Sequence, residues 1–433
     1  MKQFFQILKY HKQPHILSLM FLGFVSGLPF LLVVSSLPIW LTQIGYSKTI
    51  IGWMFLTTIP YSTKFLWAPL IDQYQLPYLC DYFGQRRGWA LCIQVFLFIS
   101  IIGLGLSDPQ NHIVLTVFFA FLVSFCAASQ DIVLDAYRIE RLKTHELGIG
   151  TSMSGIGFRL GMLVSGAGSL YLQSLFSWSF AYIAMAFIGL IGIITTLLVD
   201  EVQSQEISSE VEQHYKIKSK DFIAYLQGVL NSFMAIGRHA GWPLLILLIF
   251  FYKIGDSIPN AMSGPLFVDL EFSAIEIANA SKTFGLLMMI FGGFCGGIVV
   301  SKVGLRNGLI IGGIVQILSP LMFLILSING HNEFVFFVTV GIQSFSCGVG
   351  STAFVAYLSG ICRGGYTATQ FAVLYSFSSM SRIILSSVSG YAADHVTWAS
   401  FFAVTTLLSI LFILVLKEFE RAQSKIVETN SEV

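Results

Sequence analysis

QRRGWALCIQVFLFISIIGLGLSDPQNHIVLTVFFAFLVSFCAASQDIVLDAYRIER, residues 85–141, decides the fold. It holds two apolar runs, 89–107 and 112–136, each near the length of about 20 residues that an α-helix needs to cross a bilayer. A short polar loop, SDPQNH, joins them, and arginines flank the pair at its outer ends, Arg86 and Arg87 before, Arg138 and Arg141 after. Two antiparallel spans with their basic ends on one side account for this pattern. Outward from it the same unit recurs, at 15–41, 49–70, 146–172 and 177–198, then at 241–268, 275–300, 308–328, 333–359, 365–393 and 397–416. The expected fold is an all-α membrane protein of twelve transmembrane helices in two six-helix halves.

Composition agrees. The 433 residues are 55% hydrophobic and 11% charged, with a mean hydropathy of +0.77, which leaves too little polar surface to cover a water-soluble fold of this size. A net charge of +1 offers no general attraction to nucleic acid. Cys80, Cys92, Cys126, Cys295, Cys347 and Cys362 form no CxxC pair and read as small apolar fillers or reduced thiols. The leader MKQFFQILKYHKQPH carries positive charge but no small-residue cleavage site follows it, so it is read as the cytoplasmic approach to the first helix.

Lysine and arginine set the orientation. With both termini cytoplasmic, 18 of the 24 basic residues fall in cytoplasmic loops and tails, only Lys48 in the opposite loops, and five within spans. That asymmetry is the signature of positive-inside topology with an even number of spans.

The domain plan follows: a half at 1–198, a cytoplasmic linker at 199–240, a half at 241–416 and a cytoplasmic tail at 417–433. The linker segment KDFIAYLQGVLNSFMAIGRH has apolar residues at helical spacing, and either lies along the membrane surface or extends the seventh span. The halves echo each other as fused repeats do. DYFGQRRGW (81–89) matches SKVGLRNGL (301–309), and Arg159 in FRLGMLVSGAG matches Arg382 in SRIILSSVSGYAAD.

An ionised side chain in hydrocarbon costs at least about 2.5–3.5 kcal/mol, so each such residue needs a partner or a wet cavity. Asp131 and Asp135 stand four apart in the fourth span, with Gln130 beside the first and Arg138 three residues after the second. They share a helix face, where carboxylates between burial and a cation could load and release a proton. The structural alternative is that Asp135 and Arg138 only brace the helix end. Lys64 lies at a similar depth in the second span and either pairs with Asp131 or snorkels to the surface. Arg159 sits mid-span and calls for a carboxylate or an anionic substrate. In the seventh span Lys253, Asp256 and Asn260 share one face, with Pro259 and Pro265 expected to break the helix nearby. That stripe suits substrate contact, or else a Lys253–Asp256 pair that merely fixes packing. Gly27 and Pro29 permit a kink in the first span, and Gln343, Gln370, Arg382 and Lys282 are weaker substrate-binding candidates. GGFCGG (292–297) lies inside an apolar span and reads as helix packing. No metal spacing, catalytic motif or cofactor motif appears, so neither an enzyme nor a cofactor is expected.

SGLPFLL, FLWAPLIDQY, FGQRRGW, SQDIVLDAYR and GFRLGMLVSGAG, in that order, resemble the muropeptide permeases of the AmpG type within the major facilitator superfamily. The likeness covers essentially all of the first half and, more loosely, the second through LYSFSSMSRIILSSVSGYAAD. It implies the major facilitator fold and a bacterial inner-membrane permease, a monomer, driven by the proton gradient. The cargo it implies is an anhydro-sugar peptide from cell-wall turnover. By motif, Gln130, Asp131, Asp135, Tyr137 and Arg138 take the family's polar fourth-span positions and Arg159 its fifth-span arginine. The superfamily's loop signature is here spread from Asp72 to Arg87, and its second copy has Ser301 and Lys302 in place of an acid. Two rivals stand beside this reading: the same fold carrying another large anionic metabolite such as acetyl-CoA or a peptide, and a membrane sensor that does not transport.

Overall fold

The computed structural model describes residues 13–46, 50, 54–200, 242–273, 276–277, 279–362 and 367–431. The N-terminal leader up to residue 12 and the linker from residue 201 lie outside these residues. Among the described residues every regular element is helical, and ten helices are long and apolar enough to cross a membrane. The longest, Gly285–Asn329, is two spans joined at Gly304, where φ is 86° and ψ 168°. Gly84 takes φ 84° at the head of Gln85–Leu106. These two glycines occupy the same position in the paired segments 81–89 and 301–309, and the left-handed backbone explains why both are glycine. The second span is short helical pieces, Phe55–Thr58, Ile59–Thr63, Lys64–Leu66 and Ala68–Gln73, with Pro60 and Pro69 in the first turns of the α-helical ones. With this interrupted span and the doubled one, the helices are consistent with twelve crossings.

The chain sorts into two compact units: Met1–Lys143, Met153–Val229 and Cys362–Ala372 in the first, and Thr144–Ser152, Leu230–Ile361 and Val373–Val433 in the second.

In the first unit the first and fifth spans interlock through glycine. A methyl group added at Gly23 or Gly27 would overlap the carbonyls of Ser154 or Phe158, and one at Gly157 or Gly161 those of Met20 or Phe24. Lipid tails give helices no hydrophobic reason to associate, so close backbone approach of this kind supplies contact energy. Toward the other end both helices widen into π turns, Leu32–Ser36 and Val164–Gly168. There Tyr182 donates to the Leu32 carbonyl at 2.8 Å and Ser36 meets Ser169 at 2.7 Å. Gly27 therefore serves packing, and the irregularity expected around Gly27 and Pro29 falls one turn later.

The second unit is held by stacked aromatics, Phe267 on Phe323 and Phe323 on Phe402, with Phe272 between His331 and Phe336. GGFCGG is helical, and its Gly292 and Gly296 press on the carbonyls of Phe345 and Val349. In the loop after the seventh span, Ser273 donates through both N–H and hydroxyl to Glu276 and holds that carboxyl below its ordinary range. The seventh span breaks at Lys253, between Trp242–Tyr252 and Ile254–Asp269, while Pro259 and Pro265 lie inside the second helix. The sequence placed the break at the prolines. A proline disturbs the turn before it, because its ring crowds the carbonyl four residues back.

Candidate functional site

The fourth span, Ile113–Arg141, carries the polar cluster. Arg138 Nη1 stands 2.9 Å from Asp135 Oδ1, and Lys64 Nζ 3.9 Å from Asp135 Oδ2. Lys64 is only 4% exposed at its side chain. It does not snorkel; it reaches Asp135, one turn past Asp131. The short turns of the second span bring it inward. Asp131 instead accepts a hydrogen bond from the Ser26 hydroxyl of the first span, and Lys64 and Arg138 act on it electrostatically.

Gln130 is fully buried and donates from Nε2 to the Val25 carbonyl at 3.1 Å. Tyr61, one turn before Lys64, packs edge-on to Phe30 with its hydroxyl buried and without a hydrogen-bond partner among the described residues. Arg138 lies over the Phe371 ring at 5.4 Å, and its Nε and Nη2 are buried without hydrogen-bond partners among the described residues. The Tyr137 hydroxyl donates to the Asp200 carbonyl at 3.0 Å, at the end of the unit. Arg159 is half-buried and engaged.

The dispersed loop signature is assembled in space. Arg86 bonds Asp72 at 2.8 Å and Glu140 at 2.9 and 2.6 Å, and Asp72 accepts from the N–H and hydroxyl of Thr369 at 2.8 and 2.7 Å. Asp72 thus caps the start of Thr367–His395, where an anion suits the helix dipole.

The second unit holds a smaller group. Lys253 pairs with Asp256 at 3.8 Å and lies over Phe354 at 4.9 Å. Asn260 is exposed, Gln343 half-buried, Gln370 buried and Arg382 exposed. The Lys282 side chain lies outside the described set. No three His, Cys, Asp or Glu residues among those described converge as a metal site, and all six cysteines are free.

Sequence reasoning missed Ser26 and Tyr61. Each sits within three residues of a position it singled out, Gly27 and Lys64, but a hydroxyl in a span is common, and only the fold brings these two beside Asp131.

Two compact helical units with membrane-spanning helices, and a buried charged cluster in one of them, define a polytopic membrane transporter. The profile of the Major Facilitator Superfamily matches residues 19–252 and 245–432. The chain belongs to that superfamily and, within it, to the AmpG-type permeases. It is 40% identical over 405 residues to "Putative transporter AmpG 3" of Rickettsia typhi, covering 93% of this chain and 95% of that one. It is 34% identical over 408 residues to the "Anhydromuropeptide permease" of Escherichia coli, covering 94% and 79%. Among solved structures the superfamily transporter FucP aligns with a TM-score of 0.68 at 13% identity, over 93% of this chain and 97% of that one. That last likeness speaks for the fold alone.

Proposed function

We propose that the chain imports muropeptides, anhydro-sugar peptides of cell-wall origin, across the bacterial inner membrane by proton symport and alternating access of its two halves. Both termini face the cytoplasm and the working unit is a monomer. The 34% identity to a protein named anhydromuropeptide permease supports the cargo. What carries the coupling is the unequal company of the two carboxylates. Asp135 is held by two cations, Lys64 and Arg138, whereas Asp131 is bonded by the Ser26 hydroxyl. A hydroxyl donates to a carboxylate and accepts from a carboxylic acid, so that bond persists whether or not Asp131 holds a proton. Asp131 is the proton carrier in this reading, and Asp135 a fixed anion that keeps Lys64 and Arg138 in place.

Arg138, with two donors still unused, is the natural contact for an anionic group on the cargo. Gln130, Tyr137, Lys253, Asp256, Asn260, Gln343, Gln370 and Arg382 complete the substrate-binding set in this proposal, and Arg159 joins Lys64 as a cation that modulates the proton carrier. Another large anion, such as acetyl-CoA or an acidic peptide, would use Arg138 in the same way, and competition against muropeptide uptake separates these cargoes. The direct test is uptake of anhydro-muropeptide into proteoliposomes under an imposed proton gradient. Asp131→Asn is expected to abolish the response to the gradient. A variant that keeps its full gradient dependence would remove Asp131 from the mechanism.

A further inference from the structure

Gln94 belongs to none of the groups described so far, yet it is a buried amide, 4% exposed, in the third span. The third and fourth spans run antiparallel. Arg86 meets Glu140 at one end of the pair, and Ser107 meets Thr116 at the other. Residues 94 and 130 therefore lie at the same level of the two neighbouring spans.

Each of the two amides engages one of its two polar atoms. The Thr196 hydroxyl donates to Gln94 Oε1 at 3.1 Å, and Gln130 Nε2 donates to the Val25 carbonyl at 3.1 Å. A carbonyl only accepts, so the Gln130 amide is fixed with its oxygen turned away from Val25. What remains is one donor, Gln94 Nε2, and one acceptor, Gln130 Oε1, both buried and without a hydrogen-bond partner among the described residues. Complementary groups at one level that do not bond are separated by a gap. Folded proteins rarely leave such groups dry, and a water molecule accepts from one and donates to the other.

The sixth span packs closely on this place: a Cβ at Gly192 would stand 2.9 Å from Val25 Cγ2 and 3.2 Å from Gln94 Nε2, and glycine spares the amide that crowding. One turn away, on the same four helices, Leu22, Ala90, Val133 and Thr196 border a narrow crevice with space on the scale of a single water. Thr196 belongs to both places.

We infer that one buried water joins Gln94 to Gln130, and that Gln94 is thereby a positioning residue for Asp131. The chain runs from Thr196 through Gln94, the water and Gln130 to Val25, and ties the sixth, third, fourth and first spans together. Its last two members adjoin the reacting pair, since Gln130 precedes Asp131 and Val25 precedes Ser26. The positioning role rests on the reading of Asp131 as proton carrier; the water does not.

An experimental structure of the full chain in nanodiscs, at a resolution that shows ordered water, tests the site directly. Density within hydrogen-bonding distance of both amides is expected; a direct amide contact or a dry gap would overturn the water. Gln94→Met keeps the volume and removes the bonds. In proteoliposomes it is expected to lower gradient-driven uptake about tenfold and to move the pH midpoint of uptake. Equal loss at every pH, with the midpoint unmoved, would mean a merely structural residue and overturn the positioning role. A wild-type protein without gradient dependence would overturn that role together with the proton reading, while the density still decides the water.

Discussion

Asp131 and Asp135 stand one helical turn apart and meet different neighbours, and their difference is set by residues from other spans. Lys64 is the clearest case. Buried at 4% side-chain exposure, it has Asp135 3.9 Å away and also acts electrostatically on Asp131. Lys64→Met leaves Asp135 with Arg138 alone, so it is expected to destabilise the protein, though by less than the roughly 3 kcal/mol that a fully stranded buried charge costs. Thermal unfolding in detergent measures it. Lys64→Met combined with Asp135→Asn should cost less than the two single changes together, because the attraction between Lys64 and Asp135 is then lost only once; strict additivity would show that the pair is not coupled. At this scale the sequence was informative wherever a full charge interrupts an apolar run, since hydrocarbon tolerates few of them. That logic found Asp131, Asp135, Lys64 and Lys253. It could not find Ser26, Tyr61 or Gln94, because neutral polar side chains are ordinary in spans and their neighbours lie 105, 70 and 102 positions along the chain in other helices, at Asp131, Asp131 and Thr196.

Among the elements, the first and fifth spans are joined most closely. Four glycines, Gly23, Gly27, Gly157 and Gly161, each leave no space for a Cβ against the opposing backbone, whereas Gly155 on the same fifth span has nothing within 4 Å. The contrast supplies an internal control. Gly161→Ala must push the two helices apart and is expected to lower stability by about 1–3 kcal/mol. Gly155→Ala should be neutral or stabilising by up to about 1 kcal/mol, the intrinsic helical preference for alanine. Unfolding temperatures of the two variants decide the matter, and equal losses would contradict the interlock. The four-residue glycine spacing is readable in SGLPFLL and GFRLGMLVSGAG together with the residues around them, but which helix receives each glycine is not. The spans themselves were legible for a simple reason: twenty apolar residues in a row have few other uses. Their interruptions were less so. The proline signal placed the break of the seventh span several residues late, and the π turns at Leu32–Ser36 and Val164–Gly168 carry no proline at all.

For the whole molecule, the net charge of +1 conceals a strong segregation, with 18 basic residues assigned to one side and Lys48 to the other. Part of that excess has local work to do. Arg86, Arg138, Arg141 and Arg421 pair with carboxylates, and setting them aside still leaves fourteen against one. Insertion responds to the count of lysine and arginine near span ends rather than to net charge, so pairing with acids in the folded state does not weaken the bias. The proposed orientation therefore rests on many residues and survives the loss of any few. Alkaline phosphatase, which is active only outside the cytoplasm, is expected to be active when fused after Gln110 in the loop between the third and fourth spans, and inactive when fused after Lys143 or Val433. Green fluorescent protein at the same three positions should give the opposite pattern. With the expected pattern at Gln110 and Lys143, activity of the phosphatase at Val433 would mean an odd number of crossings after the fourth span, and activity at Lys143 with silence at Gln110 would invert the first half; that second result would turn the Asp131 cluster toward the wrong side for releasing protons inward.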